Sequence, residues 1–136
     1  MPTTCRHRPP QPGLWTGRAG HGVRPGLDFV RFALAQWRPG TDAAVVDDVL
    51  LVAAELLANV ADHAGGTLAL ELRLDPRGER LRIDVTDASR AEPRIFPARA
   101  GQPHHRGLRI LDHIASAWGC RPHATGKAVW AEIRLP

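Results

Sequence analysis

Residues 41–66 read TDAAVVDDVLLVAAELLANVADHAGG, and their pattern decides the architecture. Thr41 or Asp42 has the short oxygen-bearing side chain that caps a helix start. Val45, Val49, Val52, Leu56 and Val60 then recur at three- and four-residue spacing until Gly65-Gly66, where a helix ends. This is the longest and clearest element of the chain.

Upstream, Pro25 suits a first helical turn, and Leu27, Val30, Leu34 and Trp37 continue an apolar stripe that Pro39-Gly40 stops. Downstream, Thr67 to Asp75 and Arg80 to Asp87 alternate apolar with polar residues around Pro76-Arg77-Gly78-Glu79, which is the pattern of a hairpin. Residues 88–106 carry Pro93, Pro97, Gly101 and Pro103 without a clean period and read as a long loop, a length associated with lids and binding segments. Helical spacing returns with Leu108, Leu111, Ile114, Ala115 and Trp118, and Gly119 is the expected stop. A last hairpin pairs a strand over 120–124 with one over 128–135 through Thr125-Gly126-Lys127. Strands thus come in antiparallel pairs separated by helices. This order predicts an α/β two-layer sandwich, with a mixed, mainly antiparallel sheet of four to five strands and the helices on one face.

The 136 residues fit one domain. Residues 1–24, rich in Arg, Pro and Gly, read as a flexible arm with a short edge strand near Leu14 and Trp15, and 25–136 as the folded unit. The formal charge of +4 resides in that arm: Arg6, Arg8, Arg18 and Arg24 lie among residues 1–27 with no acid, and the rest of the chain is balanced. Direct nucleic-acid binding is therefore not expected. Lys127 is the single lysine beside seventeen arginines, the usage of a GC-rich coding genome. There is no apolar run of membrane-spanning length and no secretory leader pattern, and Cys5 and Cys120 lie far apart without metal-site spacing, so a soluble, cytoplasmic protein is expected.

Glu55 and Asn59 are four apart on the central helix and share a face, with Asp48 and Asp62 extending the stripe. Alone, such a pair describes a solvated helix face equally well. Three further signals follow in order. Asp87 ends a strand in Val85-Thr86-Asp87-Ala88-Ser89, where a carboxylate can accept from an exocyclic amine such as that of adenine or can simply form a turn. His105-Arg106-Gly107-Leu108 runs into a helix N-terminus, where free amides and the helix dipole favour an anion. Gly126-Lys127-Ala128-Val129-Trp130 feeds the last strand. His104 and His105 have no partners at metal-ligand spacing and read as solvated loop residues. Trp37, Trp118 and Trp130 read as core residues.

Together these segments resemble the GHKL (Bergerat-fold) superfamily of ATP-binding proteins, and in particular its anti-sigma-factor serine/threonine kinases. The box Glu-Leu-x-x-Asn-(Ala or Val)-x-x-His is matched by Glu55-Leu56-Leu57-Ala58-Asn59-Val60-Ala61-Asp62-His63, the Asp box by Asp87-Ala88-Ser89, and the Gly-rich segment by Arg106-Gly107-Leu108. Its following helix ends in a Trp-Gly, here Trp118-Gly119, and the closing Gly-Lys-x-Val-Trp is Gly126 to Trp130.

The resemblance implies that ATP and Mg²⁺ are the cofactors. It implies that Glu55 is the catalytic base, that Asn59 is the metal ligand, and that Asp87 reads adenine. Ser89 follows in the Asp box, Arg106 with the amides near Gly107 and Leu108 holds the phosphates, and His63 either caps its helix or contacts the nucleotide side. It implies as partners a sigma factor and a STAS-type anti-sigma-factor antagonist, in a homodimer away from any membrane. His104 and His105 stand where relatives often carry glycines, and Ser89 and Ala128 replace a glycine and a threonine of many relatives. The alternative that follows from those departures is a module acting by protein–protein sequestration alone.

Overall fold

The computed structural model describes residues 12–18, 23–61, 67–87, 104–123 and 126–136. Along the chain run β1 (Gly13–Arg18), α1 (Val23–Trp37), α2 (Ala43–Ala61), β2 (Thr67–Leu74), β3 (Arg80–Asp87), α3 (His104–Ile114), β4 (Ala117–His123) and β5 (Gly126–Arg134). The strands form one sheet in the order β1-β2-β3-β5-β4. All four pairings are antiparallel, so the expected two-layer sandwich is present with no parallel pair among the described strands. The edge strand anticipated near Leu14 and Trp15 is β1.

The capping expected of the central helix is also there, with the Ala44 amide donating to Asp42 Oδ1 at 2.9 Å, while the Thr41 hydroxyl turns back to the Arg38 carbonyl past the end of α1 at 2.7 Å. The first hairpin closes around Asp75, whose Oδ1 accepts from the amides of Glu79 at 2.7 Å and Arg80 at 3.1 Å. Desolvation raises the Asp75 carboxyl, but the amides of Arg80, Glu79 and Gly78 and the Arg80 charge together outweigh it and hold the group below its ordinary range.

Strand alternation assigns the two faces of the sheet. Leu68, Leu70, Leu72, Leu81, Ile83, Val85, Val129, Ala131 and Ile133 are buried and point to the helices. They meet Val30, Ala33 and Leu34 of α1, Val49, Val52, Ala53, Leu56, Leu57 and Val60 of α2, and Leu111 of α3 in one continuous core. Close approach of α1 to α2 requires Gly26: a Cβ there would stand 2.8 Å from Leu57 Cδ1. The chain end is tied back as well, for the Leu135 amide donates to the Glu79 carbonyl at 2.6 Å and the Arg38 guanidinium reaches the Pro136 carbonyl.

Two expectations are corrected. The helix beginning at His104 does not extend to Trp118-Gly119 but ends at Ile114. The Ala115 amide still donates to the Leu111 carbonyl at 2.9 Å, but that of Ser116 turns to the Glu132 carbonyl at 2.8 Å, where a β5 acceptor captures the chain into β4. Trp118 lies opposite Ala131 on the inner face, and its Nε1 donates to Asp112 Oδ1 of α3 at 2.6 Å. Trp130 is not a core residue of the helix-covered side. It alternates with buried Val129 and Ala131 and so lies on the opposite face, beneath the Arg82 guanidinium at 4.5 Å from the ring centroid. Arg82 also bonds Asp84 at 2.9 Å and Glu132 at 3.3 Å. The Trp130 ring crosses its neighbour Gly119, where a Cβ would stand 2.6 Å from Nε1. Gly119 is thus fixed by a ring, not by a helix end.

Candidate nucleotide site

Connectivity determines which residues share an end of the sandwich. Only five residues separate α2 from β2, so the last turn of α2 and the first residue of β2 lie at one end. Leu68 pairs with Asp87 and Ala128 with Thr86, which places the end of β3 and the start of β5 there too. Two residues after α3, β4 begins at Ala117 opposite Glu132, near the other end of the sheet. The N-terminal turn of α3 is thereby directed back toward Asp87. The last turns of α2, the end of β3 and the start of α3 converge.

Within α2 the buried stripe Val49, Val52, Ala53, Leu56, Leu57 and Val60 faces the sheet and α1. Leu57 marks the α1 side through its contact at Gly26. Asn59, two positions on, is turned about 200° from Leu57, toward the flank occupied by α3, and Glu55 stands one turn earlier on the same flank, ~6 Å along the axis. Both are half-buried, whereas Asp48 further back is exposed. A glutamate and an asparagine partly withdrawn from water on a helix of otherwise apolar neighbours differ from a solvated stripe, which would be exposed throughout.

Asp87 is 6% exposed, and it is the sole buried charged or polar residue among those described. The alternation of β3 points it to the helix side, the side carrying Asn59. A carboxylate withdrawn from water at a strand end, where the backbone leaves the sheet, is held by donors.

Arg106, Gly107 and Leu108 lie in the first turns of α3, which starts at His104, earlier than the loop expected to run to Arg106. By α-helix geometry the amides left open are then those of His104, His105 and Arg106, with Gly107 and Leu108 entering the helical ladder. The side chains of residues 104–108 are outside the described set, as are His63, Ser89 and the 88–103 segment anticipated as a lid.

The sequence thus brought Glu55, Asn59 and Asp87 into consideration, and the fold gathers Asn59, Asp87 and the α3 N-terminus at one end with Glu55 one turn behind. The bond from Trp118 to Asp112, which anchors α3 to the sheet, was not foreseen. An apolar-periodic tryptophan six residues after an aspartate carries no distinctive signal.

No helix among the described residues is long and apolar enough to cross a membrane. No curated protein matches the chain. The family model of the histidine kinase-like ATPase domain does match, from residue 26 to residue 133, the span that contains the helix pair, the hairpin ending at Asp87 and the α3 start. With that match over most of its length and this sandwich beneath it, the chain belongs to the histidine kinase-like ATPase domain family, ATP-binding folds of the GHKL type.

Proposed function

We propose that this protein is an ATP-binding regulator that acts as an anti-sigma factor and as a serine/threonine protein kinase toward a small STAS-type anti-sigma-factor antagonist, in the cytoplasm. The observation that carries the reading is the convergence of half-buried Asn59 and Glu55 with buried Asp87 at the end where α3 begins. In this reading the Asp87 carboxylate accepts from the adenine amine, and Arg106 with the open amides of the first α3 turn faces the phosphates. Asn59 offers an amide oxygen to Mg²⁺, an ion that takes few protein ligands and keeps waters and phosphate oxygens for the rest. When bound, Mg²⁺ offsets the charge of the phosphates. Glu55 accepts the proton of the attacking serine hydroxyl as its oxygen bonds to the γ-phosphorus and the bond to the β-phosphate bridging oxygen breaks, which leaves ADP. Positioning and charge neutralisation supply most of the rate enhancement in such transfers.

Incubation with labelled ATP and the cognate antagonist tests the kinase half. Phosphoserine on the antagonist that disappears in Glu55→Gln is expected. Absence of phosphoserine with intact partner binding would sink it.

A second reading, a module that works by docking alone, is favoured by the start of α3 at His104. It puts the histidine amides of positions 104 and 105 where relatives present glycine. Calorimetry with ADP and Mg²⁺ separates the two: micromolar binding supports nucleotide use, and millimolar or undetectable binding supports docking alone.

A further inference from the structure

The three helices are held to the sheet unequally. α2 sends six buried side chains into the interior between Val49 and Val60, and α1 sends Val30, Ala33 and Leu34. Among the described side chains of α3, Leu111 alone is buried, with Ile110 and Ile114 half-buried beside it. Apolar burial is non-directional, and it fixes a helix against tilting only where several side chains interlock. The tilt of α3 is therefore left to its polar contacts.

Those contacts lie toward its C-terminal end. The Ser116 amide and hydroxyl donate to the Glu132 carbonyl at 2.8 and 3.1 Å and pin the turn into β4. Four residues earlier, the Asp112 carboxylate accepts from Trp118 Nε1 at 2.6 Å, a short distance of the kind found when the acceptor is ionised. Trp118 belongs to β4, which is paired with β5 from Ala117 to His123, so the indole is a bracket that stands on the sheet and grips the helix. At an exposed position such a bond adds little to overall stability, but unlike apolar burial it has a direction.

We infer that Trp118 and Asp112 are positioning residues for the phosphates of a nucleotide: their bond sets the tilt of α3, and with it the place of the open amides of His104, His105 and Arg106. The inference rests on the nucleotide reading proposed above. His105 lies eleven residues before Ser116, ~16 Å along the helix axis. A swing of about 10° about the pinned turn moves its amide by ~3 Å, whereas an amide bonds an oxygen over a window of only about 0.5 Å. Asp87 is carried by β3 and does not depend on that tilt. The base end of the site thus belongs to the sheet, and the phosphate end to a helix oriented from its far end.

Calorimetric titration of the full chain with ADP and Mg²⁺ tests this in wild type, Asp112→Ala, Trp118→Phe, the double variant and Asp112→Asn, with thermal melting to show that each is folded. The alanine and phenylalanine variants should each bind ADP about 3- to 10-fold more weakly, the worth of one surface hydrogen bond. The double variant should be no weaker than the weaker single one, because both changes remove the same bond. Asp112→Asn, which keeps an acceptor oxygen, should bind near wild type. Asp75→Asn, which removes a carboxylate that holds the first hairpin away from α3, should leave ADP affinity unchanged. Unchanged affinity in Asp112→Ala or Trp118→Phe, losses that add in the double variant, no rescue by asparagine, or an equal loss in Asp75→Asn overturns the inference while the nucleotide reading stands. A wild-type protein that binds no ADP overturns both.

Discussion

Replacing Asp87 by asparagine keeps the volume of the side chain and exchanges one acceptor oxygen and the negative charge for an amide group. At 6% exposure the carboxylate has little water to fall back on, so whatever donor meets it contributes as a bond to a charged partner, ~1.5–3 kcal/mol. At ~1.4 kcal/mol per decade this is roughly a 10- to 100-fold weakening of adenine nucleotide binding. The base should also matter. Inosine nucleotides carry an oxygen where adenine carries the amine, so the wild-type protein should discriminate against them by repulsion as well as by the lost bond, and Asp87→Asn should discriminate much less. Calorimetric titration with ADP and with IDP on both proteins gives a closed cycle, and thermal melting of the unliganded proteins checks that the variant is folded. An Asp87→Asn protein that melts normally and binds ADP within threefold of wild type would refute the assignment of Asp87 to the base.

Three other outcomes are expected. Asn59→Ala should remove most of the Mg²⁺ dependence of ADP binding while leaving metal-free affinity near wild type, read by titrations with and without chelator; a retained metal effect places the ligand elsewhere. Gly119→Val should cost about 1–3 kcal/mol in denaturant unfolding, because its Cβ enters the space of Trp130, and the cost should largely vanish in a Trp130→Ala background; an unchanged cost contradicts the ring contact. Asp75, with its carboxyl held below the usual range by the hairpin amides, stabilises the fold above the ordinary carboxylate value of ~3.9 and loses that contribution as pH falls below it. The stability advantage of wild type over Asp75→Asn should therefore shrink on acidification from pH 6 to pH 3, and an advantage independent of pH would remove the charge from the explanation.

The readability of each element followed from how many local signals agreed. For α2, cap, period and glycine stop coincide, and its observed span Ala43–Ala61 falls inside them; the first hairpin was equally marked by alternation around a turn. The end of α3 was misplaced because Trp118 satisfies two patterns at once. It sits four residues from Ile114 and three from Ala115, as a helix would have it, and also faces the core as an inward strand residue. The choice is made by the Glu132 carbonyl, a partner sixteen positions away from Ser116. Trp130 reads as a core residue from its strand position, though the alternation with Val129 and Ala131 directs it outward; its partner Arg82 is visible only once β3 and β5 are neighbours. In the site, the identities of Glu55, Asn59 and Asp87 were legible, but their meeting at one end depended on strand order. The two pairings that join the hairpins into that order, β1 with β2 and β3 with β5, bring together residues forty or more positions apart.

The bond between the Trp118 indole and Asp112 has an optical consequence. The four tryptophans are distributed over β1, α1, β4 and β5, and Trp118 is hydrogen-bonded through its ring nitrogen to the helix whose first turn lies at the end carrying Asn59 and Asp87. An indole that donates to a carboxylate emits differently from one released to solvent. With the other three changed to phenylalanine, the emission of Trp118 would report displacement of α3 from the sheet directly, so the helix carries its own intrinsic probe of whether it shifts when ligand arrives.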